Sequence, residues 1–284
     1  MSEREDRVRR EVSKAYSEAI LRPRSGCCSC GQSAQQKLAA DLAGYKLDEL
    51  QELPGDAGQS SFGCGNPVAI ASLRPGEVVL DLGSGAGIDL FLAAQKVGPT
   101  GRVIGIDMTD EMLARAKENI RASHFTNIEV RKGIIEELPV ESASIDCVIS
   151  NCVINLSPEK PKVFREIARV LKPGGRMMIS DIVAEQLPEA VLQNAALYSS
   201  CVAGAISEAE YVAGLREAGL VDVEVRSRLV YGADQLASAV ELGASGGLLG
   251  PAPDLLRAIA GKIWSAALYA RKPEEDSRPN RSTK

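Results

Sequence analysis

A short apolar run, Val78-Val79-Leu80-Asp81-Leu82, passes directly into Gly83-Ser84-Gly85-Ala86-Gly87, and helical patterning from Ile88 to Lys96 follows. A run this apolar reads as a buried parallel strand. Glycines at alternate positions between a strand and a helix leave no Cβ between the main chain and a ligand. The loop lies at the carboxyl end of the strand, where open α/β sheets bind ligands. The alternation continues with strands at Arg102–Ile106, Ile128–Arg131, Ile145–Ser150 and Arg176–Ser180. A helix with Met112, Leu113, Ala116 and Ile120 facing inward follows Thr109, a residue type suited to capping it. Another helix over Pro161–Leu171 is stopped by Pro173-Gly174-Gly175. This pattern predicts an α/β fold with a doubly wound, mostly parallel sheet.

The flanks read differently. Val8, Val12, Tyr16 and Ile20 give residues 3–20 an amphipathic helical spacing. Beyond Pro188, helices are expected near 188–200 and 207–218, and weak helix over 232–260. Val221–Tyr231 and Ile263–Arg271 read as an antiparallel edge pair in a small C-terminal extension. The expected organisation is an N-terminal helical and loop segment (1–66), a ligand-binding core (67–185), an acceptor-binding and C-terminal segment (186–271) and a disordered polar tail (272–284). A net charge of -5 and 4% aromatic residues exclude a nucleic-acid partner. The N-terminus is too charged for a signal peptide and no apolar run spans a bilayer, so the expectation is a cytoplasmic chain without a membrane partner. In that compartment the seven cysteines would be reduced.

Two acids refine the ligand. Asp107 ends the second strand, where a ribose-binding carboxylate belongs. Asp81 precedes the glycines, where it repels a pyrophosphate and attracts an ammonium group. A tight turn or a dinucleotide site remains the competing reading of the glycines alone. The turn Leu171-Lys172-Pro173-Gly174-Gly175 resembles the class I methyltransferase superfamily, with its Rossmann-like sheet. That resemblance implies S-adenosylmethionine as cofactor, held by Asp81, Gly83, Ser84, Gly85, Gly87 and Asp107. It further implies Met108 at the ribose edge, Ile134, Ile135 and Glu136 in the adenine pocket, and Asn151 in the turn after the fourth strand. Ordinary core packing competes as an account of Ile134 and Ile135.

The cysteines are the other unusual feature. Cys152 directly follows the strand Ile145–Ser150, on the ligand-binding edge. Cys64 stands between Gly63 and Gly65 before the first strand, and Cys201 ends a helical segment. Burial as a small hydrophobe is the competing reading for each, and it is the preferred one for Cys147 in mid-strand. Cys27-x-x-Cys30 is half a zinc set with no second half. His124, the one histidine, reads as a solvated residue at a helix end.

The segments Phe62-Gly63-Cys64-Gly65-Asn66-Pro67, Gly105-Ile106-Asp107-Met108-Thr109, Ser150-Asn151-Cys152-Val153-Ile154-Asn155-Leu156 and Cys201-Val202-Ala203-Gly204-Ala205 are together similar to the arsenite S-adenosylmethionine methyltransferases. The resemblance implies Cys64, Cys152 and Cys201 as catalytic ligands of trivalent arsenic, with Cys28 or Cys27 as a transient thiol. It implies arsenite and methylarsenite arriving as thiol adducts, with small thiols or thioredoxin as reductant. Phe62 departs from the tyrosine of many relatives, and no cysteine follows Cys201. The residue inventory agrees, because a soft ion prefers thiolate sulfur. Its lone pair can attack a methyl group without a general base. The rival functions are a carbon- or oxygen-methyltransferase and a non-catalytic metalloid-binding protein.

Overall fold

A computed structural model describes residues 3–21, 45, 53, 65–192, 198, 201–232 and 258–274. The elements, in chain order, begin with helix α1 (Glu3–Leu21) and the short α2 (Pro67–Ile70). Strand β1 (Val78–Leu82), helix α3 (Ile88–Val97), β2 (Arg102–Asp107), α4 (Asp110–Ala122) and β3 (Ile128–Lys132) form the first half of the sheet. The second half holds β4 (Ile145–Asn151), α5 (Lys160–Val170), β5 (Leu171–Ala184), α6 (Glu189–Leu192), α7 (Glu208–Glu217), β6 (Val221–Val230) and β7 (Ile263–Arg271).

The strand order is β3-β2-β1-β4-β5-β7-β6. β1 pairs in parallel with both β2 and β4, so the winding reverses between β1 and β4. The doubly wound parallel sheet expected from the sequence is therefore present. Antiparallel pairing of β6 with β7 is also as expected, but these strands do not stand apart as an extension. β7 pairs along β5 from Arg176↔Arg271 to Ala184↔Ile263 and completes one seven-stranded sheet. The reason is burial: residues of β7 are covered on both faces, as an interior strand requires, whereas β6 is an exposed edge.

One core cluster packs α5 and α7 against the sheet, with the Phe164 and Tyr211 rings 5.2 Å apart. The other packs α3, through Leu90, Phe91 and Ala94, on the opposite face. β5 starts at Leu171, earlier than expected. Its register with β4 steps from Ile145↔Leu171 to Cys147↔Arg176, so Lys172-Pro173-Gly174-Gly175 forms an irregularity inside the strand. The expected tail also differs at its start: Lys272, placed there by its polarity, exchanges backbone hydrogen bonds with Gly174 and Gly175 at 3.1 and 2.8 Å. Residues 275–284 and 233–257 lie outside the described residues, and with them most of the tail and of the weak helical expectation.

α1 is amphipathic as predicted, with Val12 and Ile20 buried, but its Arg9 is buried too. The Arg9 guanidinium bonds Glu136 at 3.2 Å and Glu159 at 2.7 Å, fastening the helix across the carboxyl edge of the sheet.

Gly105 in β2 abuts the glycine loop; a Cβ there would lie 2.5 Å from Ser84 Oγ and 3.0 Å from Leu90 Cδ1. Gly105→Ala is expected to cost about 1–3 kcal/mol through overpacking. Urea unfolding measures it, and an unchanged midpoint would show that this contact is slack.

Candidate active site

The switch between β1 and β4 opens a cavity beneath α1. Gly83, Gly85 and Gly87 all have positive φ (67°, 102° for Gly87, and 52° for Gly85), which explains glycine at each place. Close approach to a ligand is only part of the account, because a Cβ on Gly83 would run into the Val153 side chain. The amides of Gly83 and Ser84 donate to the Ile106 carbonyl at 2.8 and 3.0 Å, tying the loop to β2. Asp107 accepts from Gly85 N at 3.0 Å and from Thr109 N at 2.9 Å. Thr109 occupies the cap position of α4 but its side chain caps nothing; its hydroxyl is spent on Asp107.

All but one of the residues expected to bind a cofactor line this cavity. Asp81, Gly83, Ser84 and Gly85 line one wall; Asp107, Met108, Ile134, Ile135 and Glu136 line another; Asn151 and Cys152 close the end. Gly87 is absent from the lining and serves as the left-handed N-cap of α3. Glu136 is buried, accepting from Ser157 Oγ at 2.7 Å as well as from Arg9. Asn151 spends its side chain on the protein: Oδ1 accepts from Gly65 N, and Nδ2 donates to Gly65 O at 2.6 Å, Tyr45 Oη at 2.8 Å and Asp89 Oδ2 at 3.2 Å. Among the lining residues that escaped the sequence reading are the polar Arg9 and Tyr16 of α1, Asp89 and Ser157. The helical spacing announced a buried face on α1, but only the fold says what that face covers.

The electrostatics are one-sided. Burial pushes the Asp81 carboxyl well above the ordinary range, and the neighbouring Asp89 and Asp107 push it further. Burial raises Asp89 too, against hydrogen bonds from Asn151 and Tyr45. Among the described residues no Lys or Arg forms an ion pair with any of the three. Ser84 Oγ is buried without a hydrogen-bond partner. A pocket with three crowded acids and an orphan hydroxyl is suited to a cationic, polyhydroxylated ligand.

Residues 73–219 match the family model of a methyltransferase domain. The chain belongs to that methyltransferase family. It is 48% identical over 201 residues to an arsenite methyltransferase of Halobacterium salinarum, covering 70% of this chain and 50% of the relative. It is 31% identical over 220 residues to an arsenite methyltransferase of Homo sapiens, covering 72% of this chain and 55% of the relative. The crystal structure of an arsenic(III) S-adenosylmethionine methyltransferase from Chlamydomonas reinhardtii matches with a TM-score of 0.63 and 32% identity, over 82% of this chain and 74% of that one. The chain spans about half the length of the curated relatives it matches.

At the end of the methyltransferase cavity two cysteines converge. Cys152 and Cys201 both hold left-handed backbone, with φ of 57° and 63°, a conformation L side chains rarely adopt. Such strain persists where the surroundings over-determine it. Their sulfur atoms and a carboxylate oxygen of Asp181 lie within 4.8 Å of one another, all three residues buried. Cys201 Sγ donates to the Cys152 carbonyl at 2.7 Å. Burial and Asp181 drive the Cys201 thiol well above its ordinary range, with a bond from Tyr16 opposing them. Cys152 is disulfide-bonded, which corrects the expectation that every cysteine is reduced. Its partner is neither Cys147 nor Cys201, both free. Thiol exchange needs only access and a second sulfur, which compartment arguments from composition do not address. Cys147 is fully buried as predicted, its thiol pushed up to about 12 by desolvation. Cys64, Cys27, Cys28 and Cys30, and with them Phe62, lie outside the described residues. His124 is exposed just past the end of α4 and stacks on Phe125.

Gly204 sets the approach of the two cysteine segments, since a Cβ there would overlap the Asn155 backbone carbonyl. That carbonyl is fixed, so Gly204→Ala must move the Cys201 turn. The expected loss is about 1–3 kcal/mol in chemical denaturation. An unchanged midpoint would mean the two segments do not pack.

Proposed function

We propose that this chain moves a methyl group from S-adenosylmethionine to trivalent arsenic, arsenite or methylarsenite, held by cysteine sulfur. The observation that carries the reading is the convergence of Cys152 and Cys201 on strained backbone at the end of an acid-lined cavity. The similarity to arsenite methyltransferases supports it.

Asp81 and Asp89 would hold the cation of the methyl donor, Asp107 its ribose hydroxyls, and Met108, Ile134, Ile135 and Glu136 its base, with Ser84 Oγ gaining a partner. When bound, the cofactor supplies an electrophilic methyl group on sulfur. The protein's residues bind, orient and exclude water. Val12 of α1 is buried over the site, and closure of this kind raises effective molarity. Cys201 and Cys152 would each exchange for a hydroxide on arsenic, the thiol proton leaving with that hydroxide as water, so no general base is needed. Cys64 is the proposed third ligand, and Cys28 or Cys27 the transient one. Small thiols or thioredoxin would first reduce the disulfide at Cys152, giving two thiols and an oxidised partner disulfide. No described helix is long and apolar enough to cross a membrane; a cytoplasmic location is part of the proposal.

Cys201→Ser is expected to retain its thermal melt and its cofactor affinity and to lose methylation of both arsenite and methylarsenite, read by arsenic speciation in the presence of thiol. Oxygen is a harder ligand than sulfur. Methylation at the parent rate by this variant would sink the thiolate reading.

The acids give a second expectation. Their raised values mean that the empty protein is stabilised by their protons at low pH and loses that stability as pH climbs through the raised folded-state values. Cation binding favours the ionised acids and releases those protons. Affinity for S-adenosylmethionine should therefore fall as pH drops from 7.5 to 5.5, by up to about tenfold per pH unit for each proton displaced. Calorimetry that finds a pH-independent affinity would remove Asp81 and Asp89 from the cation site.

A further inference from the structure

We infer that Asp181 is the fixed counter-charge for the positive charge that arsenic acquires as it is methylated; this deepens the proposed function and rests on it. The other buried acids of the site line the cofactor cavity, but Asp181 stands on the acceptor side. Its carboxylate oxygen and the sulfurs of Cys152 and Cys201 lie within 4.8 Å of one another. The residue is fully buried.

The surroundings of Asp181 distinguish it from a ligand. Oδ1 accepts from Asn155 Nδ2 and from Ile182 N, both at 2.9 Å. Oδ2 accepts from Asn155 N at 3.2 Å and from Tyr211 Oη at 3.1 Å. Four donors occupy the lone-pair positions of a carboxylate, so little capacity is left to coordinate arsenic. Burial pushes the Asp181 carboxyl up to about 7, against the bonds from Ile182, Tyr211 and Asn155 and the charge of Lys160, so above that pH the charged form stands, held in one place by its donors. The charge of Lys160 acts on Asp181 through space, but its Nζ bonds the carbonyls of Asn155 and Ser157 at 3.3 and 3.1 Å and forms no contact ion pair with Asp181.

The chemistry needs such an anion. Arsenic bound to two cysteine sulfurs and a third ligand is neutral and keeps a lone pair. In the transfer that pair forms the arsenic–carbon bond, the carbon–sulfur bond of the donor breaks, and its electrons return to the donor sulfur. The sulfonium becomes a neutral thioether, and the arsenic, oxidised from the trivalent to the pentavalent state, carries the positive charge. No proton moves and no external oxidant is used. The unit charge thus travels from the cofactor cavity toward the Cys152–Cys201 pair, where Asp181 is already fixed in a low-dielectric surrounding. An anion that is closer to the charge after transfer than before stabilises the transition state more than the ground state.

The test uses the reduced full-length chain loaded with one equivalent of arsenite, in single turnover. Asp181→Asn is expected to retain its arsenic by elemental analysis and to bind S-adenosylmethionine within about threefold of the parent. Its methyl-transfer rate should fall by about tenfold to a hundredfold. Tyr211→Phe removes one donor and keeps the charge; its rate should stay within about threefold. A rate for Asp181→Asn within threefold of the parent, or an equal loss in Tyr211→Phe, would overturn the inference in favour of a purely structural carboxylate. Should Asp181→Asn not fold, Lys160→Met decides, assayed at pH 9 because the Lys160 charge helps keep Asp181 ionised near neutrality: there, removing a cation that opposes the anion should leave transfer per bound arsenic as fast or faster. A tenfold drop with arsenic retained would overturn the inference. A parent protein that forms no methylated arsenic overturns the proposed function and this inference with it, a result distinct from an active parent with an unaffected variant.

Discussion

The parallel pairing of β1 with β4 is the constraint on which the site depends. Its register, Asp81↔Ile149 and Leu82↔Ser150, brings two segments out of the sheet side by side. One is the glycine loop that follows β1; the other is Asn151-Cys152, which follows β4. The winding reverses here, so the helices leaving the two strands diverge to opposite faces and leave a crevice. Among the described residues, the crowded acids and the Cys152–Cys201 pair lie about that crevice, and α1 roofs it through the ion pairs of Arg9 with Glu136 and Glu159.

Four carboxylates are distributed across the crevice. Asp81, Asp89 and Asp107 line the cavity, and Asp181 lies beside Cys152 and Cys201. Carboxylates so buried are costly unless bonded or matched by a cation. Asp107, Asp89 and Asp181 are each bonded by neutral donors from the backbone, Tyr or Asn. These bonds hold the acids in place, while burial still favours their protonated forms. In the proposed function these carboxylates would stand at both ends of the methyl transfer.

The acceptor end depends on backbone as much as on sulfur. Left-handed residues at Cys152 and Cys201 turn two side chains from distant segments toward each other. The turn of Cys201 reaches the Asn155 carbonyl only because Gly204 has no side chain. Asn155 is in turn fastened to Asp181 and to the Ile182 carbonyl, so the thiols, the short turn Ile154–Leu156 and β5 form one unit.

What was legible in the sequence was local. Strand and helix periodicity from Val78 to Ser180, the glycine loop, Asp107 at a strand end and Cys152 just past one are all short-range patterns, and periodicity together with the carboxyl-edge rule places them without coordinates. The burial of Cys147 followed from its place within an apolar strand. Other features were decided only by tertiary structure, because they depend on residues far apart in the chain. The cover that α1 provides joins Arg9 to residues 127 and 150 positions away. Asp181 reads as one acid in an apolar strand until Asn155 and Tyr211 are folded against it. The strands β6 and β7 showed their antiparallel pairing in sequence but not their place in the main sheet, since which strand lies beside β5 is settled by the long-range burial of both faces of β7, and alternation along one strand carries no information about its neighbour.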